Sequence, residues 1–325
     1  MLSKKTIGFL LKIGIVAFAL FFLFKQLTDK TTIDQFNSTD IINQIKEHWF
    51  IMVIVLFMMF LNWFLEALKW QFLIKKIENI SFLKSIRAVF SGITVSAFTP
   101  NRVGEYGGRV FCLDTADRIQ AVLITVIGSM AQLLTTIFFG SVGILLLPKY
   151  LPEFPQILSS INLSFSILVF LTFLVNSLLV FLFLNTHVLS KVLSKIKFLN
   201  KYEKYNTVFS FYTTKELAKV LLFSVVRYAV FTTQFFILLL VFGVEISYLD
   251  AIVLIMTMLF VISIIPTIAI TEIGVRGSVA IFLFGLVSFN TIGIISATLV
   301  LWIINLLLPA LIGTLFIFSL KFFRK

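Results

Sequence analysis

The sequence contains few of the residues from which catalytic and metal sites are usually built. It has one cysteine, Cys112, and two histidines, His48 and His187, in 325 residues. A single cysteine excludes an intramolecular disulfide, and two histidines so far apart do not have the spacing of a zinc site. Phosphate-binding P-loop, HExxH, GxSxG and CxxC motifs are also absent from the sequence. We therefore expect no catalytic residue, no metal and no cofactor, and we expect that the protein is not an enzyme.

Charged residues are scarce as well. They make up 13% of the chain, against about 25% in soluble domains. Hydrophobic residues make up 59%, and the mean hydropathy is +1.06. Much of the surface must therefore face lipid, which predicts an all-α polytopic membrane protein forming one domain over residues 1–325. The net charge of +12 indicates attraction to anionic lipid. Without a folded basic domain, nucleic acid is not an expected partner.

Long apolar runs locate the membrane spans, since about 20 apolar residues cross the hydrocarbon core as a helix. Six runs reach or approach this length: 7–24, 49–65, 120–147, 163–184, 220–242 and 291–319. Three further runs are shorter: 88–99, 251–265 and 278–289. Short runs favour two re-entrant or broken-helix hairpins. The runs 251–265 and 278–289 could instead cross the membrane fully.

The distribution of lysine and arginine predicts the orientation. With the N-terminus in the cytoplasm, most basic loop residues fall inside. Only Lys25, Lys30, Lys46 and Lys149 fall outside. We expect a bacterial inner-membrane protein with both termini in the cytoplasm. The two hairpins then enter from opposite faces, which predicts an inverted repeat. Its halves would be residues 49–147 and 220–319.

A charged pentapeptide occurs twice in this apolar chain. The sequence "EYGGR" occupies 105–109 and "EIGVR" occupies 272–276, and both read Glu-x-Gly-x-Arg. Each follows a proline by a few residues, Pro100 in the first case and Pro266 in the second. Both copies also lie beside short apolar runs. This placement predicts that the charged groups lie in the two hairpins, at membrane depth.

In each pentapeptide the glutamate precedes the arginine by four residues, so the two side chains share one face of a helix and can pair. The pairs are Glu105 with Arg109 and Glu272 with Arg276. A charge at the bilayer centre costs about 2.5–3.5 kcal/mol, and pairing offsets much of this cost. A structural bridge is the ordinary use of such a pair. Pairing also leaves guanidinium donors that can bind an anion.

Other residues complete the candidate site. Arg227 lies inside the run 220–242, deep enough to require an internal partner such as a glutamate or an anionic headgroup. The glycines of the motifs, Gly108 among them, suggest close backbone approach to another helix or a ligand. The candidate binding residues are Arg102, Glu105, Arg109, Arg227, Glu272 and Arg276. The candidate structural residues are Pro100, Gly104, Gly107, Pro266 and Gly274.

A further pair of charges lies at the end of the second span. Glu66 and Lys69 occur in "LEALKWQF", between Trp63 and Trp70. Tryptophans are enriched at membrane–water interfaces. We therefore expect Glu66 and Lys69 to be interfacial, with the two tryptophans as belt residues.

The motif regions resemble those of a known family. "TPNRVGEYGGR" is similar to the Pro-x-Arg-x-Gly-Glu motif of the flippase-like transmembrane domain of lysylphosphatidylglycerol synthases, and "IGVRGSVA" is similar to that family's second motif. The resemblance implies movement of a phospholipid, such as an aminoacylated phosphatidylglycerol, across the inner membrane. The residues that carry over are Pro100, Arg102, Gly104, Glu105, Gly274 and Arg276.

Two departures from the family are visible. Members commonly have Glu directly after the second arginine, where this chain has Gly277; Glu272 could substitute from the other side. Family synthases also attach a soluble aminoacyl-transfer domain after the membrane region. This chain stops at "KFFRK", so we do not expect aminoacyl transfer.

The leading expectation is translocation of an anionic or aminoacylated phospholipid, or of a lipid-linked headgroup. The expected partners are a membrane phospholipid and, as a further possibility, a membrane-bound or cytoplasmic lipid-modifying enzyme. One alternative is a non-transporting accessory subunit that binds lipid or a lipid-linked glycan for a glycosyltransferase. Another is a small-solute transporter. The sequence leaves open the headgroup, the direction and energy source of transport, and the oligomeric state.

Overall fold

The structure, a computed structural model, describes residues 10, 38–99, 102–160, 162–185, 188, 207–265 and 269–318. Its α-helices are α1 (Ser38–Glu47), α2 (Trp49–Ile74), α3 (Phe82–Ser96), α4 (Gly104–Val110), α5 (Arg118–Leu146), α6 (Phe154–Ser160), α7 (Phe165–Leu184), α8 (Thr214–Val241), α9 (Tyr248–Ile264), α10 (Ala269–Phe284), α11 (Thr291–Trp302) and α12 (Leu308–Ile317). Short 3-10 helices cover Leu147–Lys149 and Thr207–Ser210, and a π-helix over Ile303–Leu307 joins α11 to α12. Pro100, Pro266 and nearly all of the predicted span 7–24 lie outside the described residues.

Five helices within the described ranges are long and apolar enough to cross a membrane. They are Trp49–Ile74, Arg118–Lys149, Phe165–Leu184, Thr214–Val241 and Thr291–Ile317. They correspond to five of the six predicted spans, so the prediction of an all-α, multi-pass membrane protein is confirmed. The three shorter runs form α3, α9 and α10. Two hydrophobic cores, one around Trp70 and one around Phe235, hold these helices together.

The antiparallel pair of α2 and α8 forms the frame on which the charged groups lie. At one end Lys76 pairs with Glu216 at 2.7 Å. Further along, Glu66 of α2 bonds to Arg227 of α8. Glu66 is ten residues from Lys76, or about 15 Å at 1.5 Å per residue. Glu66 is 5% exposed, so the Glu66–Arg227 contact lies inside the helix bundle, away from this end.

Helices α3 and α4 form a close-packed hairpin. A Cβ atom added to Gly108 would lie 2.6 Å from the Cα of Gly92 and 2.8 Å from the carbonyl oxygen of Ser91. A Cβ atom on Gly104 would lie 2.6 Å from the carbonyl oxygen of Val95. Small residues permit this approach of helix backbones in membrane proteins. The hairpin therefore depends on Gly92, Gly104 and Gly108.

Glu78 joins the two ends of this first hairpin. Its carboxylate accepts hydrogen bonds from the backbone N–H groups of Asp114, Thr115 and Ala116, at 2.8–3.1 Å, and from Lys84 at 2.7 Å. Burial favours the protonated acid, but these donors outweigh it and lower the pKa of Glu78 to about 2. The loop before α3 and the loop after α4 are thus held together on one face of the protein.

Helices α9 and α10 form a second hairpin, whose ends lie on the other face. The side chain of Asn290, which follows α10, donates to the carbonyl oxygens of Phe242 and Gly243 at 3.0 and 2.9 Å. At the start of α9, Asp250 accepts a hydrogen bond from Lys149 at 2.6 Å. Both ends of the second hairpin are therefore near the C-terminal end of α8, whereas Glu216 and the Lys76 contact mark its N-terminal end.

The glycine predictions are confirmed in part. Gly104 and Gly108 make the close backbone contacts that were expected. Gly107 was predicted to do the same, but a Cβ atom there would meet only the Phe111 ring, at an ordinary 3.7 Å. Gly274 was also predicted to approach another helix or a ligand, and no described atom lies within 4 Å of its Cβ position. Gly107 and Gly274 therefore make no close contact with another helix among the described residues, and the other half of the prediction, close approach to a ligand, stays a prediction.

Gly107 and Gly108 provide a matched test of the hairpin. Gly108→Ala is expected to lower the free energy of unfolding by about 1–3 kcal/mol, because its methyl group overlaps the backbone of α3. Gly107→Ala has room for the methyl group and is expected to be neutral, or to gain up to about 1 kcal/mol from helix propensity. Thermal unfolding of the two purified variants in the same detergent measures the difference. Equal midpoints would contradict the close contact of α3 with α4.

Candidate functional site

Glu66 is the acceptor for three cations. It bonds to Lys69 at 2.8 Å, to Arg109 at 2.8 Å and to Arg227. Lys69 comes from the same helix, Arg109 comes from the first hairpin and Arg227 from α8. Three separate segments of the chain are thus tied to one carboxylate.

The prediction that Glu66 and Lys69 are interfacial is wrong. Glu66 is 5% exposed and Lys69 is 1% exposed. Lys69 also donates to the carbonyl oxygen of Gly128 at 3.2 Å. Trp70, expected in an interfacial belt, is 1% exposed and donates to Thr125 at 3.1 Å. The sequence signal that could have identified Glu66 and Lys69 as buried is their position inside a continuous 26-residue apolar helix. Charges within the membrane normally face the protein interior.

The first pentapeptide forms the predicted ion pair. Arg109 donates through its second guanidinium nitrogen to Glu105, four residues earlier on α4. Arg109 is only 2% exposed, since its side chain is enclosed between Glu105, Glu66 and Gly92. This position suits a residue that holds Glu66 in place and links the first hairpin to α2.

The second pentapeptide also forms its predicted pair and connects the two hairpins. Arg276 donates to Glu272 through Nε at 2.8 Å and through a terminal nitrogen at 2.7 Å. The same oxygen of Glu272 accepts from Arg102 at 2.8 Å. Arg102 has φ of +58°, a left-handed conformation that is uncommon for residues other than glycine. Such backbone strain persists where surrounding contacts fix it, here beside the contact between the hairpins.

Three arginines line one cavity of about 110 Å³. Two of them, Arg102 and Arg276, come from the hairpins, and Arg227 comes from α8. The described lining residues are Asn62, Trp63, Arg102, Arg227, Phe231, Arg276, Leu301, Trp302, Asn305 and Leu306. Arg109 and Glu105, which were predicted as binding residues, are not among them. Of the four predicted arginines, three therefore line the cavity and one, Arg109, lies behind it.

The guanidinium group of Arg227 is held in a fixed orientation at the cavity. Its Nε donates to the side-chain oxygen of Asn62 at 2.8 Å, and a terminal nitrogen donates to Gln132 at 3.3 Å as well as to Glu66. Its central carbon, Cζ, lies 5.5 Å from the ring centre of Trp63, within cation–π range. The prediction that Arg227 needs an internal partner is confirmed, and Glu66 is that partner.

The described charges of the linked ion pairs, at the cavity and behind it, do not cancel. Five cations and three carboxylates form the linked pairs; the cations are Lys69, Arg102, Arg109, Arg227 and Arg276, and the carboxylates are Glu66, Glu105 and Glu272. Two positive charges are left in excess. Uncompensated charge is costly inside a low-dielectric protein, and a bound anion would offset it.

Three residues of the cavity lining also carry fully buried polar atoms that have no partner within the described residues. They are the indole N–H groups of Trp63 and Trp302 and the side-chain oxygen of Asn305. Asn305 lies in the π-helix Ile303–Leu307, and its amide nitrogen donates to Gln234 at 2.9 Å. π-helical turns are frequent at functional sites. Buried groups without hydrogen-bond partners are rare in folded proteins; these three atoms lie behind the surface of the cavity and not on it.

Fold and site together define a multi-pass helical membrane protein with an arginine-lined cavity. The model of the lysylphosphatidylglycerol synthase transmembrane region matches residues 9–313, and the chain belongs to this family. The resemblance seen in the motifs is thereby confirmed over nearly the whole chain. A search of curated proteins finds none that matches.

Proposed function

We propose that the protein translocates a phospholipid, or another lipid with a phosphate-bearing headgroup, across the bacterial inner membrane. Membership of the lysylphosphatidylglycerol synthase transmembrane family supports a role in lipid handling. The observation that carries the proposal is the convergence of Arg102, Arg227 and Arg276 on one cavity. Guanidinium groups bind phosphate through paired hydrogen bonds.

The depth of this cavity fits headgroup transfer. Arg227 lies eleven residues from Glu216, or about 16 Å along α8, which is near the middle of a 30 Å hydrocarbon core. A headgroup at this depth has lost its water, and the excess positive charge replaces that hydration. Glu66 and Glu272 hold the arginines apart from one another and in place while the cavity is empty of anion.

The two hairpins supply the route in this proposal. They act as re-entrant elements of an inverted repeat, residues 49–147 and 220–319, that enter from opposite faces and meet where Arg102 bonds to Glu272. Both termini are cytoplasmic in this topology. A headgroup that enters along one hairpin then leaves along the other, and it stays in contact with the arginines throughout.

The acyl chains need an opening toward lipid. The side chain of Arg102 is 42% exposed, and no described atom lies within 4 Å of a Cβ atom added to Gly274 or Gly277 on α10. The open side of α10 beside Arg276 is the place where chains can remain in the bilayer. In this proposal the protein carries out no covalent chemistry, its partner is the lipid itself, and a lipid-modifying enzyme supplies that lipid.

The test uses purified protein in phosphatidylcholine vesicles that contain a fluorescent phosphatidylglycerol. A membrane-impermeant reductant quenches only the outer-leaflet label. Without lipid movement about half of the signal is protected, and active protein is expected to reduce the protected fraction. Protein-free vesicles and vesicles with heat-unfolded protein are the controls.

The alternatives predict other results in the same vesicles. An accessory subunit binds the labelled lipid but leaves the protected fraction at the protein-free value. A small-solute transporter leaves lipid in place and releases a trapped anion. Either result would overturn the translocation proposal.

A further inference from the structure

We propose that a second groove, located where α2 ends and α8 begins, binds an anionic phospholipid of the adjacent leaflet. The groove has a volume of about 300 Å³, more than twice that of the arginine-lined cavity at about 110 Å³. None of the described residues that line it also lines the cavity. The groove is therefore a separate lipid site, which is independent of the proposed translocation path.

The polar end of the groove carries two lysines from different helices. Lys75 directly follows α2, and Lys219 lies in the second turn of α8. Both side chains are exposed, and no carboxylate among the described residues pairs with either of them. Their neighbour Lys76 differs, because it pairs with Glu216 at 2.7 Å. Two positive charges are thus left to bind an anion.

The polar end also offers amide donors, and no acidic residue is part of the described lining. Gln71 uses one amide hydrogen for the carbonyl oxygen of Ile80 at 2.9 Å and keeps the second, while Asn79 makes no side-chain hydrogen bond within the described residues. The Nζ atom of Lys219 lies 4.9 Å from the centre of the Phe72 ring, a cation–π contact that holds the ammonium group beside the groove. Ammonium and amide N–H groups donate to phosphate oxygens.

The other end of the groove is apolar and continues toward the membrane core. Its apolar lining residues are Leu68, Phe72 and Phe223. Beyond them, Phe64 on α2 is 45% exposed and Val226 on α8 is 40% exposed. Phe64 is eleven residues from Lys75, or about 16 Å along the helix, which is about half of a 30 Å hydrocarbon core. A phosphate at the lysines with acyl chains along these side chains is the arrangement of a phospholipid in one leaflet.

A lipid in this groove contacts both helices of the α2–α8 frame. The same two helices carry Glu66 and Arg227, which bond to each other further along the pair. A phosphate group bound to Lys75 and Lys219 would link the helix ends and stabilise the folded state, because it binds only where the two helices are packed together. In the proposed topology this end is cytoplasmic, where anionic lipids make the membrane surface negative.

The experiment labels the groove with a phosphatidylglycerol that carries a photoreactive diazirine near the start of one acyl chain. Full-length protein in phosphatidylcholine vesicles with this probe is irradiated and digested, and the labelled peptides are identified by mass spectrometry. Labelling is expected on the peptides that contain Phe72 and Phe223. A phosphatidylcholine probe with the same diazirine is expected to label them about tenfold less, because its headgroup has no net charge. Equal labelling by the two probes would mean that any surrounding lipid fills the groove and would overturn the proposal.

Substitution of the two lysines tests the phosphate contact. At a low probe fraction, Lys75→Gln combined with Lys219→Gln is expected to reduce labelling by phosphatidylglycerol about 30-fold, since each lysine near an anionic lipid contributes about fivefold. Lys75→Arg combined with Lys219→Arg keeps both charges and is expected to keep the labelling. The matched control combines Arg87→Gln with Lys215→Gln, which removes two charges from exposed positions that do not line the groove. An equal loss in the control would show general attraction to a basic surface and would overturn the site.

Two further measurements complete the test. Phosphatidylglycerol added in detergent is expected to raise the thermal unfolding midpoint of the wild type more than that of the double glutamine variant, and equal shifts would contradict the link between α2 and α8. Glycerol 3-phosphate, which has the charged group without acyl chains, is expected to leave the labelling unchanged. Displacement of the probe by glycerol 3-phosphate would assign the groove to a soluble phosphate compound and overturn the lipid assignment. The labelling result holds whether or not the protein moves lipid.

Discussion

Glu66→Gln is expected to lower the free energy of unfolding by about 5 kcal/mol, the largest single effect in the protein. Removing one partner from a buried ion pair costs about 3–5 kcal/mol, and Glu66 serves three cations, Lys69, Arg109 and Arg227. The substitution raises the positive excess of the site from two charges to three. Glutamine has nearly the same shape, so lost packing does not explain the result. Thermal unfolding and size-exclusion elution of the purified variant measure it.

The expected cause of this loss of stability is the unbalanced charge, and not the loss of the glutamate side chain alone. Adding Lys69→Gln to Glu66→Gln returns the excess to two, so the double variant is expected to recover part of the lost stability. Glu245→Gln, at an exposed site, is the control for loss of an acid elsewhere. If Glu66→Gln unfolds at the temperature of the wild type, or if the second substitution destabilises the protein further, Glu66 is not the centre of the buried network.

Local patterns predicted the helices and the ion pairs within each motif. Apolar runs identified five described spans because lipid requires about 20 apolar residues per crossing. The four-residue spacing identified the pairs Glu105–Arg109 and Glu272–Arg276, since such residues share a helix face whatever the rest of the fold is. These features depend only on residues that are near one another in sequence.

The partners that join distant segments could not be predicted in the same way. Glu66 and Arg227 are 161 residues apart, and Arg102 and Glu272 are 170 apart. Which carboxylate meets which guanidinium depends on helix packing, and nothing in the local sequence encodes it. Glu66 was also given an interfacial role because it lies near tryptophans, although its position inside a long apolar helix favoured burial.

The arginines of the two motifs differ in burial and therefore in expected role, although the two motifs are alike in sequence. Arg109 is 2% exposed and is absent from the cavity lining, whereas Arg276 lines it. Arg109→Gln leaves Glu105 without its observed partner and removes one of three from Glu66, so its main effect is expected on stability, about 3 kcal/mol. Arg276→Gln leaves Glu272 bonded to Arg102, so its folding cost is smaller.

Arg276→Gln is therefore expected to fold and to reduce phosphatidylglycerol movement by about 10- to 100-fold, since one charge-assisted contact contributes about 1.5–3 kcal/mol. Vesicle assays give the transport rate, and thermal unfolding confirms that the variant is folded. Lys215→Gln removes a positive charge from an exposed site and should transport at the wild-type rate. Arg276→Lys keeps the charge but loses the paired donors, so an intermediate rate is expected. If folded Arg276→Gln transports at the wild-type rate, the cavity is not the transport path, because the proposed path requires the headgroup to contact this arginine.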